Sequence, residues 1–550
     1  MGPKVRFPSE CQNPFRQPAG FLVSLKHPFA GNFPCFGCFS LHRPGKTFYI
    51  CPKSNGMKEK VLVIGGGVAG LSAGIYAAMN GFDTEIIEMH KVPGGQCTAW
   101  DRKKFRFDYC LHWLVGTAKG PFHDIWKETG VLNSETVVID HEIHSQIIDR
   151  DGNTFTIYAD IDRWEKYLLA LAPEDEKPVR KMCRTMRKSA LLEPFAMPPE
   201  LRSPIDYLRI LPKMLPLLNV VRKYGRLTCT EYFDRLDFRN ERIRAGLYSM
   251  YGGRNFSALA FLFMLGFFNQ KNAGYIRGGS YPLAQRMADK FRQSGGRLTL
   301  GKRVESILVE NDTACGVVLT DGTTLRADHV ISAADGYSTI YRMLGGKYRS
   351  KEIDLAYREW ELFTPLVQVS FGIAKEIPSA SPILLDFTPG MQVGRTPLKF
   401  GYSLMNYAYD DTLAPAGKTT LVMRFETPWE LWKDLHGEAY AEEKAAIEKD
   451  AASLLERQFP GIRPFIEVVD VATPKTSVRY TGVKDGAYEG FMPGRENMMK
   501  TLKMQLPGLK NFYMAGQWLF PGGGLPPSAQ SGKWAVQLIC KQRKVPFTTR

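Results

Sequence analysis

The chain contains no run of roughly 18 uninterrupted apolar residues, the length a membrane-crossing helix requires. Its most apolar stretch, Phe256–Phe268, stops short and is flanked by Arg254 and Lys271, so it reads as core or as the wall of an apolar cavity. Residues 1–56 lack the hydrophobic region of a secretion signal, because charges and prolines interrupt every candidate. Histidine is scarce, at 9 of 550 residues, and residues 57–550 show neither a metal-ligand spacing nor a Ser-His-Asp pattern. No metal is therefore expected. No RNA- or DNA-reading module occurs, and the basic residues are scattered, which argues against a nucleic-acid partner. The ten cysteines give no disulfide framework: Cys11, Cys35, Cys38 and Cys51 precede Met57, and the others are spread along the rest. Cys35 and Cys38 form a CxxC, but Cys11 and Cys51 lack the matching spacing of a zinc site. These absences make a cytoplasmic protein the expectation, with association at a membrane surface left open.

What is present is an ordinary globular composition, 44% hydrophobic and 23% charged, with a net charge of +16 that suits an anionic neighbour. Residues 1–56 carry seven basic residues against one acid and read as a leader or extension, expected to be poorly ordered. Residues 60–88, KVLVIGGGVAGLSAGIYAAMNGFDTEIIE, then place a β-branched run, glycines, a small-residue helix and a second strand in succession. This is a βαβ unit in which Gly65, Gly67 and Gly70 fill GxGxxG. The first allows the tight turn, the second lets backbone approach a pyrophosphate, and the third lets helix pack on strand. The helix N-terminus, at Val68 and Ala69, directs free N–H groups and a positive dipole end at the phosphates. Glu88 ends the second strand 18 residues after Gly70, where it accepts from ribose hydroxyls. A second glycine pair, Gly94 and Gly95, follows directly, and a nicotinamide-binding unit has no standard need for it.

GxGxxG, the acid and then the GG pair resemble the front end of the flavoprotein superfamily of amine oxidases, phytoene desaturases, carotenoid isomerases and retinol saturases. Members usually carry Arg after the GG pair, where this chain has Gln96. Residues 278–335 resemble the family's second cofactor segment: a helix from Tyr281 to about Gln293, a glycine break, alternating strands, and the buried strand HVISAAD. The resemblance puts Val304 where backbone atoms bond adenine. The third segment, NFYMAGQWLFPGGGLPPSAQSGKWAVQLIC, resembles the carotenoid-desaturase ending, with a strand at Phe512–Ala515, Gly516, a glycine run including Gly523 and Gly524, and a helix from about Ser528. The family often has an acid after the strand glycine, and here Gln517 stands there. The resemblance implies an α/β fold: a discontinuous Rossmann-type FAD-binding domain with an inserted α+β substrate domain. FAD is the implied cofactor.

The implied partition is FAD domain at 57–160, 275–345 and 501–550, and substrate domain at 161–274 and 346–500. Within the latter, RSPIDYLRILPKMLPLLNVVRKYGRL reads as a helix interrupted by Pro212 and Pro216, either a basic amphipathic element on an anionic membrane or part of a helical core. Residues 360–495 read as strands plus a long helix, Glu438–Glu456, and 472–491 as a glycine-rich wall of the cavity. Candidate proton-transfer or positioning residues are His112 in FDYCLHWLVGT, and Tyr251 and Arg254 in MYGGRNFS. His112 reads more readily as a histidine buried and satisfied against Trp113, and Arg254 alternatively as a helix cap or the partner of an acid. The expected activity is hydride transfer at a carbon–carbon bond of a lipophilic, polyene-like substrate, by desaturation, saturation or isomerisation, with the electron acceptor unassigned. An amine oxidase, or a prenyl-binding protein of the GDP-dissociation-inhibitor type that carries no flavin, are the alternatives.

Overall fold

The computed structural model describes residues 39–43, 46–50, 58–149, 151–189 and 196–550. Met1–Lys58 and Glu59–Arg550 form separate compact units. In the first, strand 39–43 pairs antiparallel with 46–50. The CxxC and most of the leader lie outside the described residues.

From Glu59 onward the chain runs as β1 (Lys60–Ile64), α1 (Val68–Met79) and β2 (Asp83–Glu88), then β3 (Ile143–Ile148) and β4 (Thr154–Tyr158). A helical stretch follows, with α2 (Ile161–Leu171), α3 (Glu176–Ser189), α4 (Pro204–Tyr224), α5 (Glu241–Tyr251) and α6 (Ala258–Asn269). Next come α7 (Ser280–Gln293), β5 (Arg297–Leu300), β6 (His329–Ser332), β7 (Leu366–Ile373), β8 (Ile383–Asp386), β9 (Tyr402–Asn406) and β10 (Thr419–Glu426). The chain closes with α8 (Gly437–Gln458), β11 (Ile466–Ala472), α9 (Pro474–Thr481), β12 (Phe512–Met514) and α10 (Leu525–Arg543).

Two sheets organise this order. The first is five-stranded and parallel, β5-β2-β1-β6-β12, so strands from all three separated segments share one sheet. Its strands read as continuous hydrophobic runs because helices cover both faces: Val61, Leu62, Val63, Val330 and Ile331 are fully buried. Helix α1 packs against α10 and α7, which explains why its small residues are buried from Val68 to Ala77. Ser72 Oγ donates to Ala529 O at 2.6 Å across the α1–α10 seam.

The second sheet is seven-stranded and mixed, β4-β3-β8-β9-β10-β7-β11. Residues 143–158, grouped by sequence with the front of the chain, pair here instead: β3 lies parallel to β8. One apolar core joins β3 and β4 to α2–α6, with Trp164, Tyr232 and Phe261 fully buried in it, and another joins β7, β9 and β10 to α8. The apolar run of α6 is core, as its composition implied.

Three element readings change. Helix α4 continues without a break through Pro212 and Pro216. The prolines are one turn apart, so the hydrogen bonds they delete fall on one side of the helix. That side carries Leu208, which is 65% exposed, so water solvates the freed carbonyls. Helix α10 begins at Leu525 rather than Ser528, taking Pro526 into its first turn, where a missing N–H costs nothing. The glycine-rich 472–491 segment opens with a helix, α9, capped by Thr473 with Pro474 in the first position.

Candidate functional site

A cleft with about 1080 Å³ of atom-free space, part of it open to solvent, lies at the carboxyl ends of β1, β2 and β6. It is lined by Gly65, Gly67, Val68, Ala69, Glu88, Gly94, Gly95 and Gln96 from the front segment, and Lys302, Arg303, Val304 and Asp335 from the middle. Tyr480–Val483 and, from the last segment, Gly516, Gln517, Trp518, Leu525 and Ser528 complete it. Residues more than 400 positions apart in sequence thus share one wall.

The three motif glycines do different things. Gly70 allows close approach, since a Cβ there would stand 1.8 Å from Gly65 O. Gly70 itself is not on the cleft lining. At Gly67 the situation is the reverse: a Cβ would meet nothing closer than Gly94 O at 3.8 Å, so the space in front of it is open. Gly67 also caps α1 without a side chain to offer, leaving the first-turn N–H groups facing the cleft. The GG pair lies directly against this loop, with Gly94 N–H donating to Gly66 O at 2.9 Å.

Glu88 is buried, and its carboxylate accepts from Gly66 N–H at 2.6 Å and His90 N–H at 2.7 Å. Burial pushes its pKa up, while these backbone bonds oppose the rise. Its oxygens retain acceptor capacity toward the cleft. Asp335, also buried, accepts from Ser338 N–H (2.7 Å) and Lys484 N–H (3.1 Å) and ties the end of β6 to the segment after α9.

Gln96 and Gln517, the two departures from the family pattern, meet each other. Gln96 Nε2 donates to Ala487 O (3.2 Å), while Gln517 Nε2 donates to Tyr488 O (3.1 Å) and to Gln96 Oε1 (3.4 Å). The two amides form a neutral pair that ties backbone 487–488 to the cleft.

The glycine run brings protein backbone against protein backbone. Gly523 has φ 39°, and a Cβ there would stand 2.0 Å from Glu489 O, so the glycine lets two stretches of protein backbone touch. Gly523 and Gly524 are off the cleft lining; Leu525 and Ser528 at the start of α10 are on it.

His112, Tyr251 and Arg254 are not brought together on the cleft. His112 is half-buried, packed edge-on against Trp113, with its Nδ1–H directed at Cys110 O (2.9 Å). Burial and the nearby Arg424 guanidinium hold its pKa down at about 3, so it stays neutral near pH 7 and proton transfer there has no support in the geometry. Tyr251 stacks on Phe256 and directs its hydroxyl at Met264 Sδ (3.6 Å), and burial pushes it well above the ordinary phenol range. Arg254 pairs with Glu426 and lies over the Phe400 ring. In the same FDYCLHWLVGT segment, fully buried Asp108 accepts from Ser280 N–H (2.5 Å), Ser280 Oγ–H (2.7 Å) and the Cys110 and Leu111 N–H groups, which anchors the segment to α7.

Of the lining residues, Lys302, Arg303 and Asp335 were not singled out by the sequence motifs, whereas Tyr480–Val483 fall within the 472–491 segment expected to form a wall. The basic pair immediately before Val304 was a readable signal for a site that takes a diphosphate.

A parallel sheet with a glycine turn at its switch of strand order, a buried acid ending the second strand and a cleft at the carboxyl ends of the strands are the features of a dinucleotide-binding fold. The family model for flavin containing amine oxidoreductases matches residues 68–540, and the chain belongs to that family. It is an FAD-dependent oxidoreductase. The open space at Gly67, the bare N-terminus of α1 and Glu88 on the lining fit FAD's diphosphate and ribose.

Among curated relatives, a chloroplastic prolycopene isomerase of Daucus carota is 21% identical over 503 residues, covering 86% of this chain and 78% of that protein. A 4,4'-diapophytoene desaturase of Methylomonas sp is 24% identical over 507 residues, covering 89% and 96%. A neurosporene-forming phytoene desaturase of Cereibacter sphaeroides is 26% identical over 320 residues, covering 57% and 60%. Among solved structures, an oxidoreductase from Methanosarcina mazei superposes with TM-score 0.58 at 16% identity, covering 87% of this chain and 99% of that one. Cyclohexylamine oxidase from Brevibacterium oxydans gives TM-score 0.54 at 14% identity, covering 88% and 100%. These shared structures establish the fold.

Proposed function

We propose that the protein transfers hydride between FAD and a carbon–carbon bond of a lipophilic polyene or isoprenoid, the five-stranded unit holding the cofactor and the seven-stranded sheet with α2–α6 receiving the substrate. The observation that carries this reading is the outward face of α4. Leu208, Leu211, Leu215 and Leu218 form an exposed stripe at helical spacing, with Leu208 65% and Leu215 58% exposed. Arg209, Arg222 and Lys223 are exposed beside them, the pattern of a helix lying on an anionic bilayer. A soluble amine has no use for such a face; a substrate dissolved in lipid does. The curated relatives named above, which by name act on carotenoids, support the same choice.

In this reading the first-turn N–H groups of α1 hold the diphosphate, Glu88 holds the adenosine ribose, and Val304 contacts adenine through its backbone. Gln517, Gln96 and Trp518 sit toward the flavin end. The bound flavin supplies hydride chemistry at its N5 position. The chain's own task is to exclude water and align an extended apolar substrate. Anaerobic mixing of the FAD-loaded protein with polyenes and with amines tests the proposal. Flavin bleaching or reoxidation by a polyene is expected; reduction by amines with peroxide formation in air would replace it with an oxidase. Among the described residues no helix is long and apolar enough to cross a membrane, so the bilayer contact proposed is peripheral.

A further inference from the structure

Two cysteines meet at the wall of the cofactor cleft. Cys97 is on the lining, directly after Gln96, and among the described cysteines it alone is there. Cys110 comes from the other arm of the hairpin that Cys97 leads into. Strand Ala99–Arg102 pairs antiparallel with Phe105–Asp108, so that Arg102 faces Phe105 and Ala99 faces Asp108. The bond from Tyr109 N–H to Thr98 O (3.0 Å) carries this register one step further, and the next step sets Cys97 opposite Cys110. Directly opposed residues of an antiparallel pair have Cα atoms roughly 4.5–5.5 Å apart. A disulfide spans roughly 4.4–6.8 Å between Cα atoms, so the hairpin holds the two side chains at bridging range.

The two sulfurs are placed unequally. Cys97 is 1% exposed, and its Sγ–H points to Ser280 O (3.6 Å) at the start of α7. Contact with the Cys110 thiol, and then burial, push the Cys97 thiol well above its ordinary range, so it stays uncharged near pH 7. A disulfide is uncharged too, and its formation would leave this buried wall no less apolar. Cys110 is half-buried, with its N–H donating to Asp108 Oδ1 (2.9 Å) and its carbonyl facing His112 Nδ1. Both residues are free thiols in the structure.

Resting on the placement of the flavin end of the cleft at Gln96 and Gln517, we propose that Cys97 and Cys110 form a redox-active dithiol–disulfide pair that exchanges two electrons with the bound flavin. In the oxidising direction both S–H bonds break and one S–S bond forms. Two electrons and one proton pass to oxidised flavin, and the second proton goes to solvent; reduced flavin cleaves the bridge by the reverse. Cys110, the more exposed sulfur, is the one that an external dithiol or disulfide reaches by thiol–disulfide exchange. The electron partner therefore belongs to that chemical class.

The test is an anaerobic dithionite titration of the air-oxidised, FAD-loaded protein, with the bridge read by peptide mass spectrometry. Wild type should take up four electrons per flavin, two for the flavin and two for the bridge, and its peptides should show Cys97 joined to Cys110 until reduction. Cys110→Ser changes a residue off the lining. It should keep full flavin, take up two electrons per flavin, and have its flavin bleached by dithiothreitol at least tenfold more slowly than wild type. Cys97→Ser should lose the same two electrons for each flavin it retains. Uptake of two electrons per flavin by wild type, uptake of four by Cys110→Ser, or oxidised wild type without the bridge overturns the proposal. Protein that holds no flavin after reconstitution fails the cofactor placement itself, and the pair's role with it; full flavin without the bridge sinks the dithiol proposal alone.

Discussion

Substituting Gly67 by alanine separates folding from cofactor retention, because its surroundings are asymmetric. The residue has φ −71° and ψ 180°, a conformation alanine adopts freely, and its Cβ would stand 3.8 Å from the nearest protein atom. As the N-cap of α1 it offers no side-chain bond, so the fold should lose under about 1 kcal/mol. The methyl would instead occupy the space in which the diphosphate approaches the α1 N-terminus. Displacing two charge-assisted hydrogen bonds, at about 1.5–3 kcal/mol each, removes about 3–6 kcal/mol, or roughly 10²–10⁴ in Kd. Gly70→Ala is the contrasting case, since its Cβ would sit 1.8 Å from Gly65 O and the loop and helix would have to separate. Visible flavin absorbance per protein and thermal unfolding of the apo protein read the two effects. Gly67→Ala should come out folded and flavin-poor, and Gly70→Ala strongly destabilised. A Gly67→Ala protein that binds FAD like wild type would refute the placement of the diphosphate.

Glu489→Gln should also change stability with pH. The folded pKa is raised to about 7 from an ordinary 4.5, so ionisation opposes folding at high pH and the cost disappears as pH falls toward 4.5. With each pKa unit equal to about 1.4 kcal/mol, the variant should be more stable than wild type by up to about 3 kcal/mol at pH 8, the gap closing near pH 4.5 in chemical denaturation of the apo protein. Arg254→Met leaves Glu426 without its partner in a mostly buried setting and should lower stability by about 3 kcal/mol with flavin content unchanged; flavin loss without destabilisation would return Arg254 to the cofactor. Leu208→Glu with Leu215→Glu should weaken sedimentation with anionic vesicles at least tenfold, while flavin absorbance stays at its wild-type value; equal binding by both proteins would remove α4 as the docking face.

The parts of the fold that local chemistry dictates could be read directly. The β-branched run at Lys60–Ile64 could only be a covered strand, and Gly65, Gly67 and Gly70 carried their meaning in spacing alone. Helix α4 could not be read, because proline penalties are set by whether freed carbonyls meet water, and that depends on which side of the helix is exposed. The pairing of β3 with β8 joins residues some 240 positions apart, beyond any local signal. Gln96 and Gln517 were legible as departures but not as partners, since their contact spans 421 positions. Gly523 was legible as part of a glycine run, and only the fold reveals that the backbone it admits is that of Glu489. Histidine in a short, aromatic-rich segment drew attention to His112, which the fold instead packs against Trp113, off the cleft.

In the proposed function, a cradle begun at Gly65 and closed by α10 holds FAD for hydride exchange with a polyene. Anaerobic titration of the purified holoprotein with a polyene, followed by the flavin spectrum, tests it most directly. Stoichiometric flavin whose redox state changes with polyene and not with amines is the expected result; protein that retains no flavin even after reconstitution, or flavin that responds only to amines, would contradict it.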